Sequence, residues 1–408
     1  MSDWKTVKLG DVASFLKGKG LSKDEIVPNG RYECIHYGEL FTKYGENIHK
    51  ITSRTNLEGS LVRSEANDVL MPTSDVTPRG LSTASFLDKP GVILGGDILI
   101  IRPNPDHLNG LFLAHFIAMN KNKVIRLVSG STIFHIYGSD MAKLSLYIPP
   151  LSEQIKMVNL IEVWDRYLEN LNKKIEHKKN IKTGIMHQIL SGNTDCEEKH
   201  LSWETVELSQ VAVFVNGYTF KSNDYVANGK FKIITIANVQ DGKMATDKVS
   251  TIDQLPSNIA PKQVLKFGDI LISMTGNVGR VCRVDEENCL LNQRVGKIIP
   301  IKIDGNLLYY LLHSRKFLNS MIVKAQGGAQ DNLSAKDIKG YRLFIPSKFE
   351  EQQTIAGMLM AADKEIQFLE IKRKIFQNQK RYLLKGLLSG RLMMDGTMKL
   401  RAEETQNA

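Results

Sequence analysis

Along two stretches of the chain the apolar positions recur at alternating steps of four and three. Trp164, Leu168, Leu171 and Ile175 keep that rhythm in the first, and Ala362, Ile366 and Leu369 in the second, where it resumes at Phe376, Leu383 and Leu387 with Arg373 and Lys380 also on the seam. This is the a/d seam of a coiled coil, narrower than the stripe of a helix lying on a globular core. The spacing predicts one long helix from Glu153 to Leu190 and another from Glu351 to Leu388, each followed by serine and glycine, the composition of a helix C-terminus. At 1.5 Å per residue each is a rod roughly 55 Å long. Neither rod can bury its seam alone, so each is the economical partner of the other.

The two stretches superpose without a gap after a shift of 198 residues: Glu153-Gln154 falls on Glu351-Gln352, Asp165 on Asp363, and Leu190-Ser191-Gly192 on Leu388-Ser389-Gly390. The segments before them also correspond. Residues 1–150 open with Trp4-Lys5-Thr6-Val7-Lys8-Leu9 and continue in short strand-like runs, Tyr32-Glu33-Cys34-Ile35 and Asp68-Val69-Leu70-Met71, broken by Pro72, Pro78, Gly80 and Pro90. A buried-looking strand at Asp97–Ile101 precedes a helical patch at Leu108–Met119, and Leu144–Pro150 closes the segment. After a polar connector at 193–202 the opening recurs as Trp203–Leu208, Phe231–Ile234 stands where Tyr32–Ile35 stood, Gly268–Ser273 matches Asn67–Pro72, the helical patch returns at Leu307–Phe317, and Tyr341–Pro346 repeats the closing strand.

The expected architecture is α+β, with two strand-rich mixed α/β domains at 1–150 and 203–347, long helices at 151–192 and 348–392, and a C-terminal tail at 393–408. Reach favours antiparallel rods, because parallel ones would need the second domain to carry the chain back about 55 Å. The domains would then sit at opposite ends of a rigid spacer, related by an approximate twofold, as suits a duplex whose successive major-groove faces lie about 34 Å apart.

Charge sharpens this reading only modestly. A formal net charge of +10 points towards polyanions, and the lysine runs Lys173, Lys174, Lys178, Lys179, Lys182 and Lys372, Arg373, Lys374, Lys380, Arg381 are either solvated helix faces or a track for phosphates. No apolar run approaches the roughly 18 residues of a membrane span, and the N-terminus has no apolar leader, so a cytoplasmic protein is expected. Cys34, Cys196, Cys282 and Cys289 form no CxxC pair and read as buried free thiols.

An Ile-Pro strand end, a Glu-Gln dipeptide opening a long helix and a Leu-Ser-Gly close, each present twice, resemble the specificity (S) subunit of Type I restriction-modification enzymes. Gly268-Asp269-Ile270-Leu271, Leu291-Asn292-Gln293-Arg294-Val295, the stretch Gly327–Leu333 and Ser129–Ile136 add to the likeness, which runs to about Leu392. The resemblance implies a sequence-specific DNA-binding subunit without catalysis of its own. Each globular segment would be a target recognition domain reading one half of a bipartite, asymmetric site, and the helices would set the gap. It implies as partners double-stranded DNA, two methyltransferase (M) subunits and restriction/translocase (R) subunits, with S-adenosylmethionine, ATP and Mg2+ bound by those partners and no cofactor on this chain. Asn67-Asp68 departs from the family's Gly-Asp, and the loop MPTSDVTPRG carries two prolines.

The motifs of chemistry are missing. No Asn-Pro-Pro-Tyr-like tetrapeptide or Gly-x-x-x-x-Gly-Lys-Ser/Thr loop occurs, and Glu370-Ile371-Lys372, which imitates the end of a nuclease motif, lies within a predicted helix. For base reading the demand is Arg, Lys, Asn, Gln, Ser and Thr on loops. In the second domain Thr275, Asn277, Arg280, Gln293, Arg294, Gln330 and Asn332 meet it, and in the first Thr73, Ser74, Arg79, Ser131, Thr132 and His135. The same residues also suit turns, surface and buried hydrogen bonding. Met157, Leu160 and Ile161, matched by Ile355, Met358 and Leu359, are either a docking face for a methyltransferase subunit or packing against the recognition domains. A protein-only scaffold and an enzyme remain the competing classes.

Overall fold

A computed structural model of the protein describes residues 4–191, 202–326 and 332–392. Gly192, the connector up to 201 with Cys196, Gln330 and the tail from 393 lie outside the described residues. The chain divides into two compact units, one of residues 1–172 with 372–408 and one of 173–371. Each unit holds one strand-rich segment and a part of each long helix.

In the first unit β1 (Lys5–Lys8) pairs antiparallel with β11 (Ser145–Ile148), so the opening and closing segments meet and deliver the chain to the long helix. Between them, β2 (Ala13–Lys17), β9 (Ile98–Pro103), β5 (Asp68–Pro72) and β7 (Ser85–Leu87) form a sheet in that order. A smaller sheet runs β4 (Arg54–Thr55), β3 (Tyr32–Ile35) and β8 (Ile93–Leu94), and β6 (Ser74–Asp75) pairs with β10 (Phe134–His135). The central strands read as unbroken apolar runs because both faces are covered. Val69, Met71, Leu99 and Ile101 join the core around the helix Gly110–Met119, while Leu70, Ile98 and Ile100 join a second core with Ile35, Leu40 and Leu94.

The second unit repeats the plan. β12 (Trp203–Glu207) pairs with β20 (Arg342–Pro346). The central sheet is β13 (Ala212–Asn216), β19 (Val295–Pro300), β16 (Ile270–Ser273) and β17 (Val281–Arg283), and the small one is β15 (Ser250–Ile252), β14 (Phe231–Ile234) and β18 (Cys289–Leu291). Alternate residues again serve two cores, Ile270 and Ile272 in one and Leu271 in the other. Asn67 and Gly268, which precede equivalent strands, both have left-handed backbone, φ 71° and 87°, so the Asn-for-Gly exchange keeps a conformation that asparagine tolerates. The following aspartates do the same work: Asp68 accepts from Glu65 N at 2.7 Å and pairs with Arg102, and Asp269 accepts from Lys266 N at 2.7 Å and pairs with Lys297.

One helical patch differs from expectation. The stretch Leu307–Phe317 is two helices, Gly305–Leu312 and Arg315–Gln326, because Ser314 caps the second, its Oγ accepting from Phe317 N at 3.2 Å. Cys34, Cys282 and Cys289 are buried free thiols, with burial pushing them up to about 11, 12 and 11. No described helix is long and apolar enough to cross a membrane.

The long helices span Leu151–Ser191 and Phe349–Leu388. Their Glu-Gln openings have a structural cause. Buried Gln154 accepts from Asn109 N at 2.9 Å and donates to the carbonyls of His107 and Pro149 at 3.0 and 2.9 Å. In the second unit Gln352 accepts from Asp304 N at 2.9 Å and donates to Pro346 O at 2.8 Å. The neighbouring glutamates diverge. Trp4 Nε1 donates to Glu153 at 3.2 Å, whereas Trp203 Nε1 and Glu351 Oε2 are both buried without a partner among the described residues.

Within each unit the helical segments pack antiparallel. In the first, Trp164 and Tyr167 meet Phe376 at ring distances of 5.5 and 4.6 Å, Arg373 donates to Asn172 at 3.3 Å, and Asp165 pairs with Lys380. In the second, Lys182 pairs with Asp363 at 2.5 Å, and Lys178 and Lys179 pair with Glu365 and Glu370, both at 2.8 Å. Asp165–Lys380 and Asp363–Lys182 occupy the same positions of the repeat. A residue from the globular segment sits against each pair. Tyr310 donates to Asp363 at 2.7 Å, and buried His115 is held down to about 4, first by burial, then by the Lys380 charge, with Asp165 opposing.

These pairs use much of the helix charge that sequence left open as a phosphate track. Packing also decides the apolar residues at the helix starts: Met157, Ile161 and Leu359 are fully buried, and Leu160 and Ile355 are half-buried against the cores, while Met358 stays 58% exposed.

Candidate nucleic-acid interface

In the second unit three segments distant in sequence meet at one end of the central sheet. The hairpin joining β16 to β17 begins at Met274, whose N–H donates to Arg294 O at 3.0 Å, while its carbonyl accepts from Leu333 N at 2.8 Å. Thr275, Arg294 and Asn332 are thereby brought together, with Asn277 and Arg280 further along the hairpin. Ser273 fastens the hairpin base: its Oγ accepts from Arg280 N at 3.1 Å and donates to Asn277 O. Gln293 is exposed, with its N–H on Tyr218 O at 2.8 Å and its side-chain oxygen accepting from Thr219 Oγ1 at 2.7 Å. Arg280 is half-buried and donates to Gln240 Oε1 at 2.9 Å, so Gln240 and Thr219 are polar neighbours that spacing did not reveal. Asn277, Arg294 and Asn332 are exposed, and the Thr275 hydroxyl is buried and unpaired among the described residues.

The first unit builds the same junction from other residues. Thr73 N donates to Asp97 O at 2.9 Å and Thr73 O accepts from Ile136 N at 3.1 Å, matching the bonds at Met274. Thr73 is buried, and its hydroxyl donates to Asp97 Oδ1 at 3.3 Å. Ser74 lies opposite His135 across β6 and β10, and the His135 ring stacks on Tyr137 at 6.2 Å. Thr73, Ser74 and His135 join Lys17, Asp97 and Tyr137 around an open cavity of about 490 Å³. Arg79, Ser131 and Thr132 are exposed, Arg79 at the start of the single turn Gly80–Ser82 and the other two beside the tip of the loop before β10. Between Ser74 and Arg79 the backbone is organised by Asp75, which accepts from Val76 N at 2.7 Å and Thr77 Oγ1 at 2.9 Å. Val76, Ile133 and Tyr137 are large apolar residues left exposed here.

These loops present hydrogen-bonding side chains at a sheet edge. The family of the Type I restriction modification DNA specificity domain matches residues 1–178 and again 201–375, the two halves of the repeat. The chain belongs to this family. As a family member it is 26% identical over 410 residues to the Type I restriction enzyme MjaVIII specificity subunit of Methanocaldococcus jannaschii, covering 96% of this chain and 93% of that one. The fold of this specificity chain also matches the S subunit of a Type-I restriction-modification system from M. genitalium, with a TM-score of 0.60 at 19% identity over 97% of both chains. A chain from a structure concerning complex assembly and conformational transition of the type I R-M system gives 0.59 at 18% identity, covering 94% of this chain and 97% of that one.

Proposed function

We propose that this chain is the DNA-reading subunit of a Type I restriction-modification complex, each recognition domain reading one half of an interrupted, asymmetric site and the long helices setting the gap. One observation carries the reading. The two units share the strand order of the central sheet and the paired backbone bonds at Thr73 and Met274, yet place unlike side chains there, as two readers of unlike half-sites require. The chemistry would belong to partners: two methyltransferase subunits using S-adenosylmethionine, and restriction/translocase subunits using ATP and Mg2+. Large apolar side chains left exposed on the long helices, Val163 and Tyr382 in the first unit and Met358 and Phe368 in the second, suit the docking of such partners in the cytoplasm.

The test is binding of duplex DNA by this chain with a methyltransferase subunit, in the presence of nonspecific competitor and over a range of salt. Retained, salt-dependent binding to one interrupted sequence is expected, since phosphate contacts release counterions while base contacts select sequence. A complex that assembles but selects no sequence would favour the protein scaffold instead. Adenine methylation by the purified chain alone would favour an enzyme.

A further inference from the structure

Asp97 and Arg294 occupy one position of the repeated framework. Each immediately precedes a central strand, β9 or β19, and each carbonyl accepts the N–H at the start of the neighbouring loop, Thr73 to Asp97 at 2.9 Å and Met274 to Arg294 at 3.0 Å. The approach to them also corresponds: Lys19 N donates to Leu94 O at 3.1 Å, and Tyr218 N to Leu291 O at 2.8 Å. A Cβ on Gly18 would strike the Gly95 carbonyl, and one on Gly217 the Asn292 carbonyl. Gly95-Gly96-Asp97 therefore stands in the first unit where Asn292-Gln293-Arg294 stands in the second, and the charge at the last position is reversed.

Both side chains reach solvent. Arg294 is exposed, and its guanidinium has no carboxylate within 4.0 Å among the described residues. Asp97 lies at the open cavity beside Ser74 and His135, its backbone in the left-handed region at φ 60°. Lys17 at 3.2 Å and Thr73 at 3.3 Å both contact its Oδ1, and Oδ2 has no hydrogen-bond partner among the described residues.

Resting on the reading of the two units as recognition domains, we infer that this pair sets opposite base identities, Arg294 taking guanine in one half-site and Asp97 taking cytosine in the other. In the major groove guanine offers two acceptors, O6 and N7, which suit the forked donors of arginine. A carboxylate accepts only, so it is repelled by the acceptors of guanine and thymine. Adenine offers an N6 donor but sets N7 beside it, whereas cytosine presents its N4 donor with no acceptor alongside. Asp97 escapes a reading based on residue type, because carboxylates are mostly expected away from DNA.

Methylome sequencing of a host carrying the full complex tests this with wild-type chain, Arg294→Ala, Arg294→Lys, Asp97→Ala and Asp97→Asn, since the half-site not touched by a variant reports that the chain is folded and assembled. Wild type should give an interrupted motif with a required guanine in one half and a required cytosine in the other. Arg294→Ala should make that guanine position degenerate, and Asp97→Ala or Asp97→Asn the cytosine position, each losing about 5- to 150-fold discrimination at one base, with Arg294→Lys retaining part of the preference. An interrupted motif whose letters are the same in every variant overturns this inference and leaves the two-reader function standing. A wild-type motif that is contiguous overturns both.

Discussion

Gln154 and Gln352 show how much one buried amide can fix. Each ties the first turn of a long helix to the end of the preceding strand and to the segment leading into a domain helix, so losing it leaves buried N–H and C=O groups unpaired. Gln154→Ala should destabilise the first unit by about 2–4 kcal/mol, read as a lowered thermal or denaturant midpoint, and an unchanged midpoint would remove this role. His115 makes a second test. Its folded value near 4 lies below the ordinary 6.5, so the unfolded chain binds the proton first, and stability is lost as pH falls from about 6.5 towards 4. His115→Gln should flatten that part of the stability profile relative to wild type, most clearly above pH 5, before most carboxylates titrate. At this scale the sequence was partly legible. The repeated Glu-Gln was visible as a pattern, but its cause was not, since it depends on bonds to His107, Asn109 and Asp304. Asp97 was invisible for the same reason: only the fold shows that it stands in the place of Arg294.

Among elements, the long helices were the most readable part, because a four-three rhythm and a gapless 198-residue shift come from local geometry repeated along one axis. Leu171, Ile175, Ile366 and Leu369 are buried as the seam requires, and Lys380, which breaks the apolar pattern, is explained by Asp165. Lys380 is 16% exposed and Asp165 40%, so Asp165→Ala should cost about 1–3 kcal/mol by leaving the lysine uncompensated, whereas Asp165→Leu with Lys380→Met should recover most of it. A double-mutant cycle on unfolding midpoints measures this, and additive single effects would show that the pair does not couple. The loops at the candidate interface were less legible. Thr275, Arg294 and Asn332 converge through backbone bonds between segments that carry no common period, and the break at His313–Ser314 depends on one capping hydroxyl.

For the whole molecule, the proposed division of labour gives the bases to two unlike domains and the distance between them to the helices. The most direct measurement is the methylome of a complex whose chain carries about four extra residues, roughly one helical turn, in both long helices, one insert after Asn172 and the other after Ile371. The added length of about 6 Å should widen the unread gap by about one to two base pairs while every specified base in both halves stays the same. A gap of unchanged length, or different letters in either half, would contradict the division between readers and ruler.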